Sequence, residues 1–139
     1  MERLKAQIIR HEGLRRLPYE CSQGKMTIGV GRNIEDNGLR DDEIDLMLEN
    51  DLKSSVAECN RNFSFFGALD EVRQDVLVNM CFNMGIGRLL GFRRMCAALE
   101  RGDFDVAARE MMDSRWARQV KGRAKELAQQ MKRGEYVSD

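Results

Sequence analysis

Apolar residues recur at three- and four-residue intervals through most of this chain, the pattern of helices that bury one face. Leu4, Ile8 and Ile9 predict a short helix from Glu2 to Arg10, with Gly13 placed to end it and Glu12 at its C-terminal end. Ile44, Met47, Leu48, Leu52, Val56 and Cys59 predict a long amphipathic helix. Leu69, Val72, Val76, Leu77 and Met80 form the stripe of another, apolar enough to be the centre of a core. Further helices are predicted over Phe92 to Glu100, Phe104 to Met112 and Lys121 to Lys132, with Gly102 and Gly134 as C-terminal stops.

The helical period breaks once. Leu17-Pro18-Tyr19-Glu20-Cys21, the polar turn Ser22-Gln23-Gly24 and the run from Lys25 to Gly31 read as a β-hairpin. The predicted fold class is therefore α+β, mostly helical. One domain, 1–139, comprises a small hairpin-bearing lobe (13–40), a connecting long helix (41–61) and a larger helical lobe (62–139) on which helix 2–12 packs. Such a fold class alone does not identify an activity.

Composition narrows the class. A chain of 139 residues, 42% hydrophobic and 33% charged, is long enough for one packed unit or two small lobes sharing a helix. Basic and acidic residues balance at 23 each, which gives no argument for nucleic acid. Their distribution is uneven: eight acids and one base lie between Glu35 and Asp51, whereas seven bases and one acid lie between Ser114 and Arg133. Either the basic end faces an anionic polymer or these are solvated helix faces. No apolar run approaches the ~20 residues of a membrane span, and Met1 to Gln7 lacks the apolar core of a signal peptide. The expectation is synthesis and initial residence in a cytoplasm, without stable membrane insertion. Cys21, Cys59, Cys81 and Cys96 have neither zinc-site spacing nor that of a small disulfide framework, so reduced thiols are expected, with Cys59 and Cys81 as core residues. His11 is the single histidine and diverges from Glu12 by ~100° around a helix, which predicts a structural or surface role. No metal or cofactor is expected.

The chemistry-bearing constellation is Glu12, Cys21 and Thr27, with eight residues between the first two and five between the last two. A glutamate ending a helix and two polar residues on a hairpin converge on one lip. The segments His11-Glu12-Gly13-Leu14-Arg15 and Thr27-Ile28-Gly29-Val30-Gly31 resemble the phage-type lysozyme family, glycoside hydrolase family 24. Leu69 to Arg73, Asn79 to Gly85, Gly91-Phe92 and Ser114-Arg115-Trp116 extend the resemblance in the same order over nearly the whole chain.

The resemblance implies hydrolysis of the β-1,4 link between N-acetylmuramic acid and N-acetylglucosamine in peptidoglycan, in a cleft between two lobes. Glu12 is then the general acid, placed where a helix C-terminus disfavours negative charge. Cys21 stands where many members carry an aspartate that activates or orients water, though some carry cysteine. At a reference pKa of ~8.5 only about 3% of a thiol is thiolate at pH 7. Cys21 is thus a lowered-pKa nucleophile or base, a hydrogen-bond partner for water, or inert filler. Thr27 is matched to holding the attacking water, and is otherwise a strand threonine. Gly29 and Gly31 either let the backbone approach a sugar or simply make a turn. Asn33 and Phe82 match cleft positions, as do Met95 and Glu110, although Phe82 suits a core equally. Arg123 matches an arginine that pairs with the catalytic glutamate, and Arg32 and Asp51 match a pair joining hairpin lobe and long helix. The implied partners are peptidoglycan glycan strands and a separate membrane-permeabilising phage protein, the protein acting as a monomer held in the host cytoplasm until lysis and then reaching periplasm or wall. Lytic transglycosylation and a non-catalytic wall-binding protein are the alternatives.

Overall fold

The computed structural model describes residues 1–137. They form two compact units, Met1–Met47 and Leu48 onward, and the boundary falls inside one continuous helix.

In the first unit, helix α1 spans Glu2–Glu12 and ends where the Gly13 N–H reaches the Ile9 carbonyl at 2.7 Å. Gly13 has φ +80, which an L side chain disfavours, and the chain leaves the helix there. Strands β1 (Arg15–Glu20), β2 (Met26–Gly29) and β3 (Arg32–Asn33) follow as an antiparallel sheet in that order. The expected hairpin is the β1–β2 pair, with Tyr19 opposite Thr27 and Glu20 opposite Met26. Its register shifts between Arg15 and Tyr19, where Pro18 has no N–H to give. The third strand was not expected. Gly29 and Gly31 both have positive φ, so β2 stops at Gly29 and a tight turn folds Arg32 and Asn33 back opposite Ile28 and Thr27. Helix α2 (Ile34–Asn37) starts at once, its Asp36 N–H capped by the Asn33 side chain at 3.0 Å. Helix α3 runs over Asp41–Asn62, close to the expected bounds of the long helix.

The second unit holds helices α4 (Glu71–Met84), α5 (Ile86–Leu90), α6 (Arg93–Glu100), α7 (Phe104–Met112), α8 (Arg115–Val120) and α9 (Gly122–Arg133). The α4 stripe is the centre of its core: Val76, Leu77 and Met80 are fully buried, with Leu89, Met95, Met111 and Met131 around them. Each such side chain contributes about 1.5–3 kcal/mol by leaving water. Asp70 caps α4, accepting from the Arg73 N–H at 3.2 Å. The Arg73 guanidinium reaches the other end of the fold's sequence, donating to the carbonyls of Met131 (2.6 Å) and Lys132 (2.9 Å), which closes the last turn of α9. Gly134, in the left-handed region, ends that helix as its sequence position suggested. Cys59 and Cys81 are buried free thiols, and burial, with Cys81 adjacent, pushes the Cys59 thiol up to about 12. Among the described residues, no helix is long and apolar enough to cross a membrane.

Candidate active site

Glu12, Cys21, Thr27 and Asn33 all fall within the first unit; Phe82 and Arg123 fall within the second. Glu12 is the last residue of α1, so its side chain leaves a helix end whose carbonyls carry partial negative charge. The Glu12 carboxyl group lies against the Cα of Gly31: a Cβ built there would stand 2.9 Å from Oε2.

Cys21 sits immediately after β1 and opens the turn. Its N–H donates to the Lys25 carbonyl at 2.9 Å, and its own carbonyl accepts from Gly24 N–H at 2.9 Å. That geometry turns backbone amides towards the sulfur. Backbone hydrogen bonds from Lys25 and then Gln23 hold the Cys21 thiol below its usual range; burial opposes them, and the Thr27 hydroxyl adds a smaller lowering effect. Thr27 is 3% exposed, and its hydroxyl donates to the Lys25 carbonyl at 2.9 Å. Its single proton can serve that carbonyl or a Cys21 thiolate, so the hydroxyl couples to the protonation of the sulfur. The neighbouring carboxylate, Glu20, lies over Gly24 of the same turn, a Cβ there standing 3.5 Å from its Oε1.

Asn33 has a local task. Besides capping α2, its Nδ2 donates to the Asp36 carboxylate at 3.0 Å, so both ends of the amide are engaged within the turn. Arg32 takes Glu43 as its carboxylate at 2.5 Å, where the sequence suggested Asp51, two turns further along α3. Glu43 also accepts the Arg40 N–H at 2.8 Å, and with Arg32 foremost these donors hold its carboxyl down at about 2. Glu43 lies in the first turn of α3, near the end of the sheet in sequence, which is why it meets β3.

In the second unit two asparagines one turn apart on α4 do the positioning. Asn79 Oδ1 accepts from Arg123 Nε at 3.1 Å and Nη2 at 2.7 Å, and Asn83 Oδ1 accepts from Trp116 Nε1 at 2.7 Å. These bonds tie α9 and α8 to α4 and join stretches of sequence far apart along the chain. Phe82, between the two asparagines, is 44% exposed and so presents its ring at the surface instead of filling the core. A groove of about 720 Å³ runs beside Trp116, lined also by Met95, Glu110 and the four arginines Arg88, Arg93, Arg94 and Arg115. Its cationic wall was not foreseen from the spacing of those arginines. Met95 itself is fully buried, so it contributes to the groove's floor.

A helix-ending carboxyl group, a thiol whose pKa the surrounding backbone lowers and a hydroxyl bound to the same turn are groups capable of acid–base chemistry. The family model for phage lysozyme matches residues 9–135, and the chain belongs to that family. It is similar to the pre-baseplate central spike protein Gp5 of Enterobacteria phage T4, 29% identical over an alignment of 143 positions, gaps included, that covers 83% of this chain and 25% of that protein. It is also similar to the probable T4-type lysozyme 1 of Dictyostelium discoideum, 28% identical over 85 residues that cover 59% of this chain and 50% of that one. The chain thus spans between a quarter and a half of the length of these relatives.

Proposed function

We propose that the chain hydrolyses the β-1,4 glycosidic bond between N-acetylmuramic acid and N-acetylglucosamine in peptidoglycan, acting as a phage endolysin. The observation that carries this reading is the family match over residues 9–135, with Cys21, whose thiol the backbones of Lys25 and Gln23 hold below its usual range, standing where many members carry an aspartate.

Glu12 gives its proton to the glycosidic oxygen as the bond to the anomeric carbon breaks. Water attacks that carbon, and its proton passes to the Cys21 thiolate. The Thr27 hydroxyl, able to turn from the Lys25 carbonyl, holds the water or the sulfur in place. The products are two sugar chains, one with a new reducing end, and proton exchange with solvent resets Glu12 and Cys21. Phe82 offers an apolar face to a sugar ring, while Asn33 and Arg123 act as substrate-binding or shaping residues through the local bonds they make. The protein works as a monomer and waits in the host cytoplasm until a separate phage protein opens the membrane.

The test is release of reducing ends from purified peptidoglycan, with Glu12→Gln expected to lose about 10²- to 10⁴-fold in rate, the span of general acid catalysis. Undiminished turnover in that variant would remove Glu12 from the mechanism. A second reading follows from the spike protein match over 83% of the chain: the same cleavage serves infection as part of a baseplate spike. Finding the chain in purified virions would favour it.

A further inference from the structure

We infer that Gly31 is a positioning residue for the reaction, its bare Cα forming the seat on which the Glu12 carboxyl group rests. The inference depends on Glu12 being the general acid. Gly31 has φ +67, and a Cβ added to it would meet Glu12 Oε2 at 2.9 Å, Cδ at 3.1 Å and Cγ at 3.3 Å. The carboxyl group therefore covers the face of the residue from which a side chain would project. Gly13, Gly29 and Gly38 also have positive φ, but a Cβ on any of them meets nothing within 4 Å. Their need for glycine is conformational. Gly31 meets that need and a steric one together, and the atoms it would displace belong to the proton donor.

A general acid must be held within hydrogen-bond reach of the oxygen it protonates, and displacement by ~1 Å is enough to cost ~10²-fold in rate. Glu12 arrives from a helix end with rotatable χ angles, and Gly31 arrives from the turn between β2 and β3. Their contact fixes one end of the carboxyl's range of motion. Because the clashing atoms are the far end of a flexible side chain, an added methyl group is relieved by swinging Glu12 away. The relief is mild for the fold and severe for the site.

Gly31→Ala and Gly38→Ala separate the two demands, since Gly38 has a nearly equal φ of +63 and no contact with the proposed chemistry. Both variants should lower the melting temperature, since each places an L side chain at positive φ. Only Gly31→Ala should lower kcat, by tenfold or more with KM changed less than twofold, and only it should move the ¹³Cδ resonance of Glu12 in protein labelled at glutamate. The inference is overturned if Gly31→Ala matches Gly38→Ala in both kcat and resonance, or if the resonance moves while kcat does not. Full activity in Glu12→Gln would instead sink the reading of Glu12 as the acid, and it would show as such whatever the resonance does. Should Gly31→Ala fold poorly, Gly31→Ser and the Glu12 resonance at low temperature give the same comparison.

Discussion

Replacing Arg73 with methionine keeps the aliphatic stem and removes the guanidinium, and the structure sets the size of the loss. The group donates to Met131 O at 2.6 Å, to Lys132 O at 2.9 Å and to Asp70 Oδ1 at 3.0 Å, and lies 3.7 Å from the centre of the Phe104 ring. Hydrogen bonds from a charged donor contribute about 1.5–3 kcal/mol each, and a partly desolvated cation over a ring about 1–2 kcal/mol. The Asp70 side chain is 42% exposed, so that ion pair adds little, and the freed carbonyls of α9 recover some bonding from water. The expected net loss is about 3 kcal/mol. With a urea slope of about 2 kcal/mol/M, the unfolding midpoint should fall by about 1.5 M. Arg73→Lys should recover less than half, because an ammonium lacks the planar fork that reaches two successive carbonyls. A loss below about 1 kcal/mol for Arg73→Met would refute the assignment of Arg73 as the closure of α9.

Two predictions concern titration. Cys21→Asp should retain turnover and extend the acidic limb of kcat/KM to lower pH, since a carboxylate has a reference pKa of ~3.9 against ~8.5 for a thiol; Cys21→Ala should lose most activity, and a fully active alanine variant would remove the thiol from the chemistry. Glu43, held at about 2 in the fold against an ordinary 4.5, stabilises the protein at pH above 4.5, and that contribution is lost as pH falls from there through about 2. Glu43→Gln should therefore flatten the acid side of a plot of melting temperature against pH, and an unchanged slope between pH 2 and 5 would contradict the Arg32–Glu43 pairing.

The sequence was most legible where an apolar stripe has room to repeat. Phe104–Met112 is a helix with the bounds its pattern indicated, and the α4 stripe does lie at the centre of the core. Helix α2, of four residues, and strand β3, of two, complete barely one period each, too little for a repeating stripe to show. Helix α8 left only a capping signal, Ser114, whose hydroxyl accepts from Ala117 N–H at 3.0 Å. The choice of Glu12, Cys21 and Thr27 rests on family resemblance, since spacing along a chain does not report position in space. What surrounds them was not legible. The amides that act on Cys21 belong to Gln23 and Lys25 through their backbones, so side-chain identity carries no trace of them. The Gly31 contact was equally hidden, because a glycine in a hairpin reads first as a turn. Arg32 found a nearer carboxylate in an acid-rich stretch that offers several, a choice fixed by helix phase and turn geometry.

The central claim is that water, activated by Cys21 with Glu12 as acid, cleaves the glycan. A proton NMR time course of the anomeric signals during cleavage of a peptidoglycan oligosaccharide tests it most directly. Single displacement by water predicts that the first new reducing ends are α-anomers, which then mutarotate towards β. First appearance of the β-anomer, or an anhydro sugar without a reducing end, would contradict it.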